Sequence, residues 1–526
     1  MKLWALGSRW FLGLIAFGWG MASAAELTEA TSTLFSGSAN CAFCHDPSAD
    51  SSERSKVSLV GEWRATMMSH SFKDPLWRAV VEVEVEEHPE LKGYIENKCL
   101  TCHAPMARTQ SREDGLKELS LAQAKTLPLA GDGVSCTVCH QIQPKNLGQA
   151  ASFTGNFEIG RAREIFGPYD DVFTRPMQNH VNYTPKFGAH TQDSALCATC
   201  HTLFTPIIDA KGEITGQFPE QVPYLEWRNS VYAERGKHCQ DCHMPRIDEP
   251  TQVSTRPPWL EPRAPFWRHQ FVGGNAFLLT MLKENAEALQ ANASPADFDQ
   301  SIAHTRRQLQ KAATLTVQGQ RVGQQLELTV LVENLAGHKF PTGFPYRRAW
   351  LHVRVQDANG KTVFESGATD ERGRIRGAGD GHSEHLDLIT RPEQVQIYEA
   401  VMGDMAGQPT RSLLRATRYL KDNRLPPLGF RKGGPDEANI AIHGAAARDA
   451  NFNAAGSGSD TVTYRMDLGA ASGKVEAVVT LWYQSVPPES VERLLRGSGP
   501  AAKEFRKYFE QADPQPETIH EVRLER

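Results

Sequence analysis

This sequence of 526 residues has no cysteine outside one type of motif, no long apolar run after the N-terminus and little net charge. Each of these absences excludes a class of protein. All ten cysteines lie in C-x-x-C-H motifs, so none is left over for another role. After the N-terminus, no apolar run is long enough to cross a membrane. The net charge is only −5, and Lys and Arg are scattered. Without a basic stripe, nucleic acid is not an expected partner.

The N-terminal segment 1–24 predicts a secretory signal peptide. It has a positive start at Lys2 and Arg9, then an apolar run that is short for a membrane anchor, then the small residues Ala22–Ala24. No cysteine stands at the cleavage point, so a lipid anchor is not supported there. We therefore expect an exported protein, periplasmic or extracellular, with no transmembrane span in the mature chain.

Five motifs of the form C-x-x-C-H carry the chemistry of the sequence. Their first cysteines are Cys41, Cys99, Cys136, Cys197 and Cys239, and their second cysteines are Cys44, Cys102, Cys139, Cys200 and Cys242. This pattern is the haem c attachment signature, in which both sulfurs bond to one porphyrin and the next histidine ligates iron. Disulfides or zinc would use the cysteines, but neither requires a histidine directly after every second one. We therefore expect five covalently bound haem c groups, with proximal iron ligands His45, His103, His140, His201 and His243.

The second axial ligand of each iron decides between electron transfer and substrate binding. The gaps between successive motifs are alternately long and short, and the long gaps contain spare histidines. We expect distal ligands at His70, His180 and His190 in these gaps, and at His269 and His338 downstream. His88, His382 and His385 are alternatives that could replace one of them. Any of these residues could instead be a surface or hydrogen-bonded histidine.

The pattern changes from helical to strand-like after the motifs, which predicts an α+β multidomain fold. Ser294 before Pro295 predicts the start of a helix. The alternation of Leu326, Leu328, Val330 and Val332 predicts a strand, and Asn359-Gly360 predicts a hairpin turn. The predicted parts are a signal peptide (1–24), a mainly helical and irregular pentahaem domain (25–262), a helical connector (263–316), a β-sandwich-like domain (317–485) and a C-terminal helical tail (486–526).

The motifs, together with YLEWRNSVY leading into CQDCHMP and with HQFVGGNAF, resemble the multihaem cytochrome c superfamily. That superfamily includes the tetrahaem cytochrome of ammonia oxidation, hydroxylamine oxidoreductase and the pentahaem nitrite reductases. The resemblance covers roughly residues 38–290. GHKFPTGFPYRRAWLHV and KDNRLPPLGF further resemble a haem-free β domain that accompanies many multihaem cytochromes.

The resemblance implies haems that pack in close pairs, and it also shows one departure. The nitrite reductases ligate their catalytic haem through a lysine at the motif histidine position. All five motifs of this chain end in histidine. This difference counts against ammonia-forming nitrite reduction.

We therefore expect an exported pentahaem c-type cytochrome that carries electrons along closely packed, mostly bis-histidine haems. Its redox partner would be another cytochrome or a quinol-linked membrane complex. Two alternatives stay open. One is a reductase or oxidase of a small nitrogen or sulfur compound at a five-coordinate haem. The other is a haem filament in which one subunit supplies a ligand to the next.

Overall fold

The computed structural model describes residues 25–46, 57–209, 211–378 and 383–526. The predicted signal peptide (1–24) and His382 lie outside the described residues. Within the described part, no helix is long and apolar enough to cross a membrane.

The first half of the chain consists of short helices joined by irregular segments. The helices are α1 (Ser38–His45), α2 (Leu59–Trp63), α3 (Pro75–Glu87), α4 (Lys92–His103), α5 (Pro105–Glu113), α6 (Leu121–Ala124), α7 (Pro128–Gly131), α8 (Cys136–Cys139), α9 (Arg175–Val181), α10 (Ser194–Ala198), α11 (Pro223–Arg228), α12 (Val231–Glu234) and α13 (Cys239–His243). The long helix α3 begins at Asp74, whose carboxylate accepts the Leu76 N–H at 2.9 Å, with Pro75 at the first helical position. Helix α3 packs along α4, and its Trp77 ring lies 4.4 Å from the ring of His103.

Strand content in this half is low, as the sequence predicts. Three two-stranded ladders occur in the described part. They pair β1 (Glu164–Gly167) with β2 (Thr184–Phe187), β3 (Leu203–Ile208) with β4 (Ile214–Gln221), and β5 (Arg246–Ile247) with β6 (Phe266–Trp267). Two helices then lead into the second half, α14 (Ala276–Glu284) and α15 (Pro295–Leu309). Helix α15 begins with the predicted Ser294 cap, which forms a reciprocal capping box with Asp297.

The second half contains two sheets. The four-stranded sheet has the order β11 (Leu388–Ile389), β15 (Ser459–Asp467), β8 (Gln325–Asn334), β7 (Ala313–Val322). The seven-stranded sheet has the order β13 (Pro409–Thr410), β12 (Ile397–Gly403), β9 (Arg348–Asp357), β16 (Val475–Gln484), β17 (Glu517–Glu525). Two further strands belong to it: β10 (Thr362–Ser366) pairs with β9, and β14 (Arg418–Asp422) pairs with β12. A short helix, α16 (Glu437–Ile440), lies between β14 and β15.

Apolar side chains from both sheets form one core, as expected for a sandwich. Leu326, Leu328, Val330 and Val332 of β8 are fully buried and belong to this core. The predicted alternation of β8 is therefore confirmed. The hairpin through Gly360 is also confirmed, because β9 pairs with β10 and Gly360 has φ 78°. The α+β fold class, helical first and strand-rich afterwards, agrees with the structure.

The C-terminal tail departs from the prediction. Helices α17 (Pro488–Leu495) and α18 (Pro500–Gln511) are present, but the chain then ends in strand β17, which pairs with β16 along its length. Helix α18 packs against α3 of the first half. Arg493 of α17 also lies 3.0 Å from the Glu84 carboxylate of α3. The tail therefore joins the two halves, while the predicted domain boundaries stay predictions.

Candidate haem sites

Local helical structure brings the two cysteines of each motif close enough together to bond to one porphyrin. Three motifs end α1, α4 and α13 with their histidine as the last helical residue. The third motif forms α8 with His140 as its C-cap, and the fourth begins in α10. Residues three apart on a helix lie on the same face. Both sulfurs of a motif therefore point to one side, as attachment to a single porphyrin requires.

Four of the five motif histidines are oriented by backbone carbonyls. In each, Nδ1 lies within hydrogen-bond distance of a carbonyl oxygen elsewhere in the chain. The pairs are His45 with Val253 (2.8 Å), His103 with Ser71 (2.9 Å), His140 with Phe166 (2.6 Å) and His243 with Val272 (2.5 Å). Ligating histidines characteristically donate the other ring N–H in this way, which fixes the tautomer. Nε2 therefore carries the free lone pair in these four residues.

Burial keeps these imidazoles neutral, which is the form that binds iron. Desolvation is the main cause that lowers the pKa of His103 and of His201, in both cases to about 4. The same cause lowers the pKa of His45, His140 and His243. At neutral pH the five motif histidines are therefore uncharged and can act as metal ligands.

The motifs are neighbours in space, although they are far apart in sequence. Cys136 is the largest influence on the pKa of Cys41, which it raises, and helix α1 packs against α8. In the same way Cys200 raises the pKa of Cys102, Cys239 raises that of Cys197, and α10 packs against α13. The structure therefore brings the first motif to the third, the second to the fourth, and the fourth to the fifth.

The third and fourth motifs also lie near each other. The charge of Cys200, in the fourth motif, raises the pKa of Cys139 in the third. Burial is the larger cause of that shift. The third and fourth motifs are therefore also neighbours, and all five motifs belong to one continuous cluster.

His269 faces the third motif in a geometry that suits an iron ligated on both sides. Its ring centre lies 6.1 Å from that of His140, and the two rings are within 10° of parallel. A metal–imidazole bond is about 2 Å, and the nitrogen lies about 1 Å from its ring centre. Two such ligands on one iron therefore place their ring centres about 6 Å apart. The Nδ1 of His269 lies 3.0 Å from the Trp267 carbonyl, so its Nε2 is free.

His338 faces the fifth motif in the same way. Its ring centre lies 6.2 Å from that of His243, at an angle of 17°. Its Nδ1 lies 2.9 Å from the Lys339 carbonyl oxygen, which again leaves Nε2 free. The β half of the chain thus supplies an imidazole to a motif of the helical half. These two pairs, with the oriented motif histidines, fit covalently attached haem.

Buried charges hold the segment that carries His338. Lys339 is fully buried, and its Nζ donates to Asp422 at 2.6 Å. Arg424 pairs with Asp422 at 2.7 Å and with Glu226 of α11 at 3.1 Å. The Lys339 backbone N–H also donates to Glu226, at 3.1 Å. We call Glu226, Lys339, Asp422 and Arg424 the charge cluster.

The charge cluster contains two acids and two bases, so its charges balance. Burial alone would raise the pKa of Asp422, but Arg424 and Lys339 together lower it below its usual value. Glu226 belongs to the helical half, and the other three residues belong to the β half. The cluster therefore joins the two halves directly beside His338.

Both ring nitrogens of His70 have hydrogen-bond partners within the protein, and its role as an iron ligand stays a prediction. Its Nδ1 lies 2.9 Å from the Thr66 carbonyl, and its Nε2 accepts the Asn292 backbone N–H at 3.2 Å. The ring is fully buried, and desolvation lowers its pKa to about 3. His70 therefore acts as a neutral core residue that links the α2–α3 segment to the chain before α15.

The other two histidines of the long gaps lie beside the third and the first motif, and the third motif already faces His269. The Nε2–H of His190 donates to the Ile142 carbonyl, 2.9 Å away, which leaves only Nδ1 for iron. The exposed ring of His180 lies on Phe43, inside the first motif, at 4.7 Å. The structure therefore places His180 next to the first motif, and its role as a ligand stays a prediction.

Two histidines that the sequence left as alternatives have opposite surroundings. His88 is 8% exposed, and its buried Nε2 has no hydrogen-bond partner among the described residues. An unpaired buried nitrogen suits a metal ligand, and its position before Pro89 gave no sign of burial. His385 has both nitrogens committed to side chains of the β half. It is therefore not an iron ligand here.

Comparisons with known proteins agree with this site. The family described as cytochrome c554 and c-prime matches residues 40–141, which contain the first three motifs. A search of curated proteins finds no match. The solved structure of a penta-heme cytochrome c552 from Thermochromatium tepidum shares the fold. It has a TM-score of 0.53 and 16% identity, over 94% of this chain and 99% of that one. The motifs, the family match and the shared fold together support a multihaem c-type cytochrome with covalently bound haem c.

Proposed function

We propose that this chain is an exported electron carrier that holds five haem c groups, one on each C-x-x-C-H motif. The observation that carries the proposal is the opposition of His269 to His140 and of His338 to His243, within a cluster in which α1 packs against α8 and α10 against α13. The haems would supply one-electron redox chemistry. The residues of the chain attach them, ligate them, and keep water away from them.

The motif contacts support a particular order of electron transfer. The first motif touches the third, and the third neighbours the fourth. The fourth touches both the second and the fifth. The order is therefore first, third, fourth, with a branch at the fourth toward the second and the fifth. Close pairs are also what the family resemblance implies.

The axial ligands proposed here combine motif and distal histidines. His269 completes the third haem and His338 the fifth, on the strength of their ring geometry. His180 is the candidate for the first haem because it lies against Phe43 of that motif. His190, through Nδ1, and His88 remain candidates for the others. Mostly bis-histidine ligation favours electron transfer over catalysis.

The export proposal rests on the predicted signal peptide at residues 1–24, together with the five haem c attachment motifs. We place the protein in the periplasm, with another cytochrome or a quinol-linked membrane complex as its redox partner. The ring of His338 faces that of His243 in the same chain, which favours ligation within one chain over the filament alternative.

One observation favours an enzymatic alternative. Within the described residues, His45, His103 and His201 have no second imidazole opposed to them as His269 is to His140, and a nearby candidate, His180, is proposed only for the first. An open position at the second or fourth haem would allow reduction or oxidation of a small nitrogen or sulfur compound.

The carrier proposal predicts five exchangeable electrons per chain. A coulometric titration of the holoprotein, followed by haem absorbance, should take up five electrons and return all five to an oxidised c-type cytochrome. Haem content is measured on the same sample, so that the number of electrons can be compared with the number of haems. Fewer than five electrons at full haem content, or electrons that the acceptor cannot recover, would contradict the proposal.

A further inference from the structure

A second group of metal-ligating side chains lies in the β half, away from all five motifs. It comprises His385, Asp387, Asp449 and Asp460, whose ligand atoms all lie within 4.8 Å of one another. Asp387 directly precedes β11, and Asp460 lies in β15, to which β11 is hydrogen-bonded in parallel. Asp449 follows the short turn of residues 445–448. Strand pairing therefore brings together residues from three separate segments.

Most of this group is buried, and its negative charge is not balanced by cations. The side chains of Asp460 and Asp449 are 0% and 4% exposed, whereas Asp387 is 55% exposed. Among the described residues, no Lys or Arg forms an ion pair with any of the three acids. Buried carboxylates normally pair with a base or coordinate a metal. The exposed Asp387 gives the group a route to solvent.

Asp460 also has an oxygen that the protein does not satisfy. Its Oδ2 accepts the Tyr398 hydroxyl at 2.8 Å. Its Oδ1 is buried and has no hydrogen-bond partner among the described residues. A buried, unpaired oxygen in a native site needs a further partner, such as an ion.

The hydrogen bonds of His385 decide which kind of metal suits the group. Its Nδ1 lies 2.7 Å from the Gln396 amide nitrogen and 3.0 Å from the Asn423 amide nitrogen. Both amides are fixed, because their oxygens accept the backbone N–H groups of Leu386 and Glu399. Nδ1 is therefore an acceptor, and Nε2 carries the proton.

The protonated Nε2 of His385 donates to Asp449 Oδ2 at 3.0 Å. In this tautomer the imidazole has no lone pair for a metal at the group. Zinc and copper, which favour imidazole, are therefore disfavoured, and the available ligands are carboxylate oxygens. His385 instead orients the Asp449 carboxylate, as outer-shell histidines and acids do at metal centres.

We propose that Asp387, Asp449 and Asp460 bind a calcium ion, and that His385 positions Asp449. Calcium takes six to eight oxygen ligands, including carboxylates, backbone carbonyls and water. Magnesium typically uses only one or two protein carboxylates. Three converging carboxylates therefore favour calcium.

The protonation of the acids is consistent with this proposal. A hydrogen bond with Asp449 is the main cause that raises the pKa of Asp387 to about 6. Burial is the main cause that raises the pKa of Asp460 to about 7, with Asp449 and Asp387 adding to it. Without a cation the acids repel one another, and a bound cation would relieve that repulsion.

The test uses the haem-loaded protein, treated with EGTA and transferred to metal-free buffer at pH 8. Calorimetric titration with calcium chloride should give one site per chain, and calcium should raise the Tm by several degrees. Asp387→Asn and Asp449→Asn should each weaken calcium binding at least tenfold. Asp299→Asn, a similarly exposed acid at 62% on α15, is the matched control and should bind calcium like the parent.

The outcomes that would overturn the proposal are distinct. They are no calcium binding by the parent, or calcium binding that Asp387→Asn leaves unchanged. A zinc complex that forms in place of calcium and is lost in His385→Gln would also overturn it. Haem absorbance and circular dichroism show whether each variant is folded. Asp387→Asn changes a largely exposed side chain, so it should remain folded even if Asp449→Asn does not.

Discussion

Replacing His338 with alanine should convert one haem per chain from low-spin to high-spin. The ring of His338 opposes that of His243 at 6.2 Å, so it is the proposed second ligand of the haem on Cys239 and Cys242. Losing an imidazole ligand also raises the reduction potential, on the order of 100 mV, because the axial ligand is a main determinant of potential. Low-temperature EPR and a spectroelectrochemical titration of the variant measure both effects.

A matched variant separates ligand loss from damage to the β half. His520 lies in β17 of the same half, and its side chain has no opposed motif histidine in the described structure. His520→Ala should leave all haem signals as they are in the parent. If His338→Ala retained five low-spin haems at unchanged potentials, His338 would not be a ligand.

Asp422→Asn should lower the free energy of unfolding by about 3–5 kcal/mol, since it leaves two buried cations with only one acid. Asp422 pairs with Lys339 at 2.6 Å and with Arg424 at 2.7 Å. Lys339 is fully buried, so water cannot replace the lost carboxylate. Guanidinium unfolding followed by circular dichroism measures the change.

The control for this variant is an exposed ion pair of the same half. Glu327 and Arg465 lie on neighbouring strands, with side chains 45% and 55% exposed. Glu327→Gln should cost less than about 1 kcal/mol, because exposed pairs contribute little. Equal losses for the two variants would show that the charge cluster does not anchor the His338 segment.

The motif residues can be proposed from the sequence alone because their chemistry depends on local spacing. A C-x-x-C-H sequence on one helical turn brings two sulfurs to one side, and distant backbone carbonyls then orient the imidazole. Distal ligands depend on contacts that are remote in sequence. His70 lies in a suitable gap, yet Thr66 and the distant Asn292 occupy its nitrogens. His338, far beyond the last motif, faces His243.

The end of the chain shows a similar limit. The sequence predicts a helical tail over residues 486–526. Strand β17 forms because the edge of β16 is available for pairing, from Glu476 with Glu525 to Tyr483 with Glu517. Its own burial is slight apart from Ile519, which is 3% exposed. The apolar signal of this strand was therefore weak.

The measurement that tests the central claim most directly is low-temperature EPR of the fully oxidised protein, with haem quantified on the same sample. The account predicts five haems per chain, all low-spin, because each iron would have two strong axial ligands. One high-spin haem per chain would contradict a pure electron carrier. It would favour an enzyme that acts on a small nitrogen or sulfur compound.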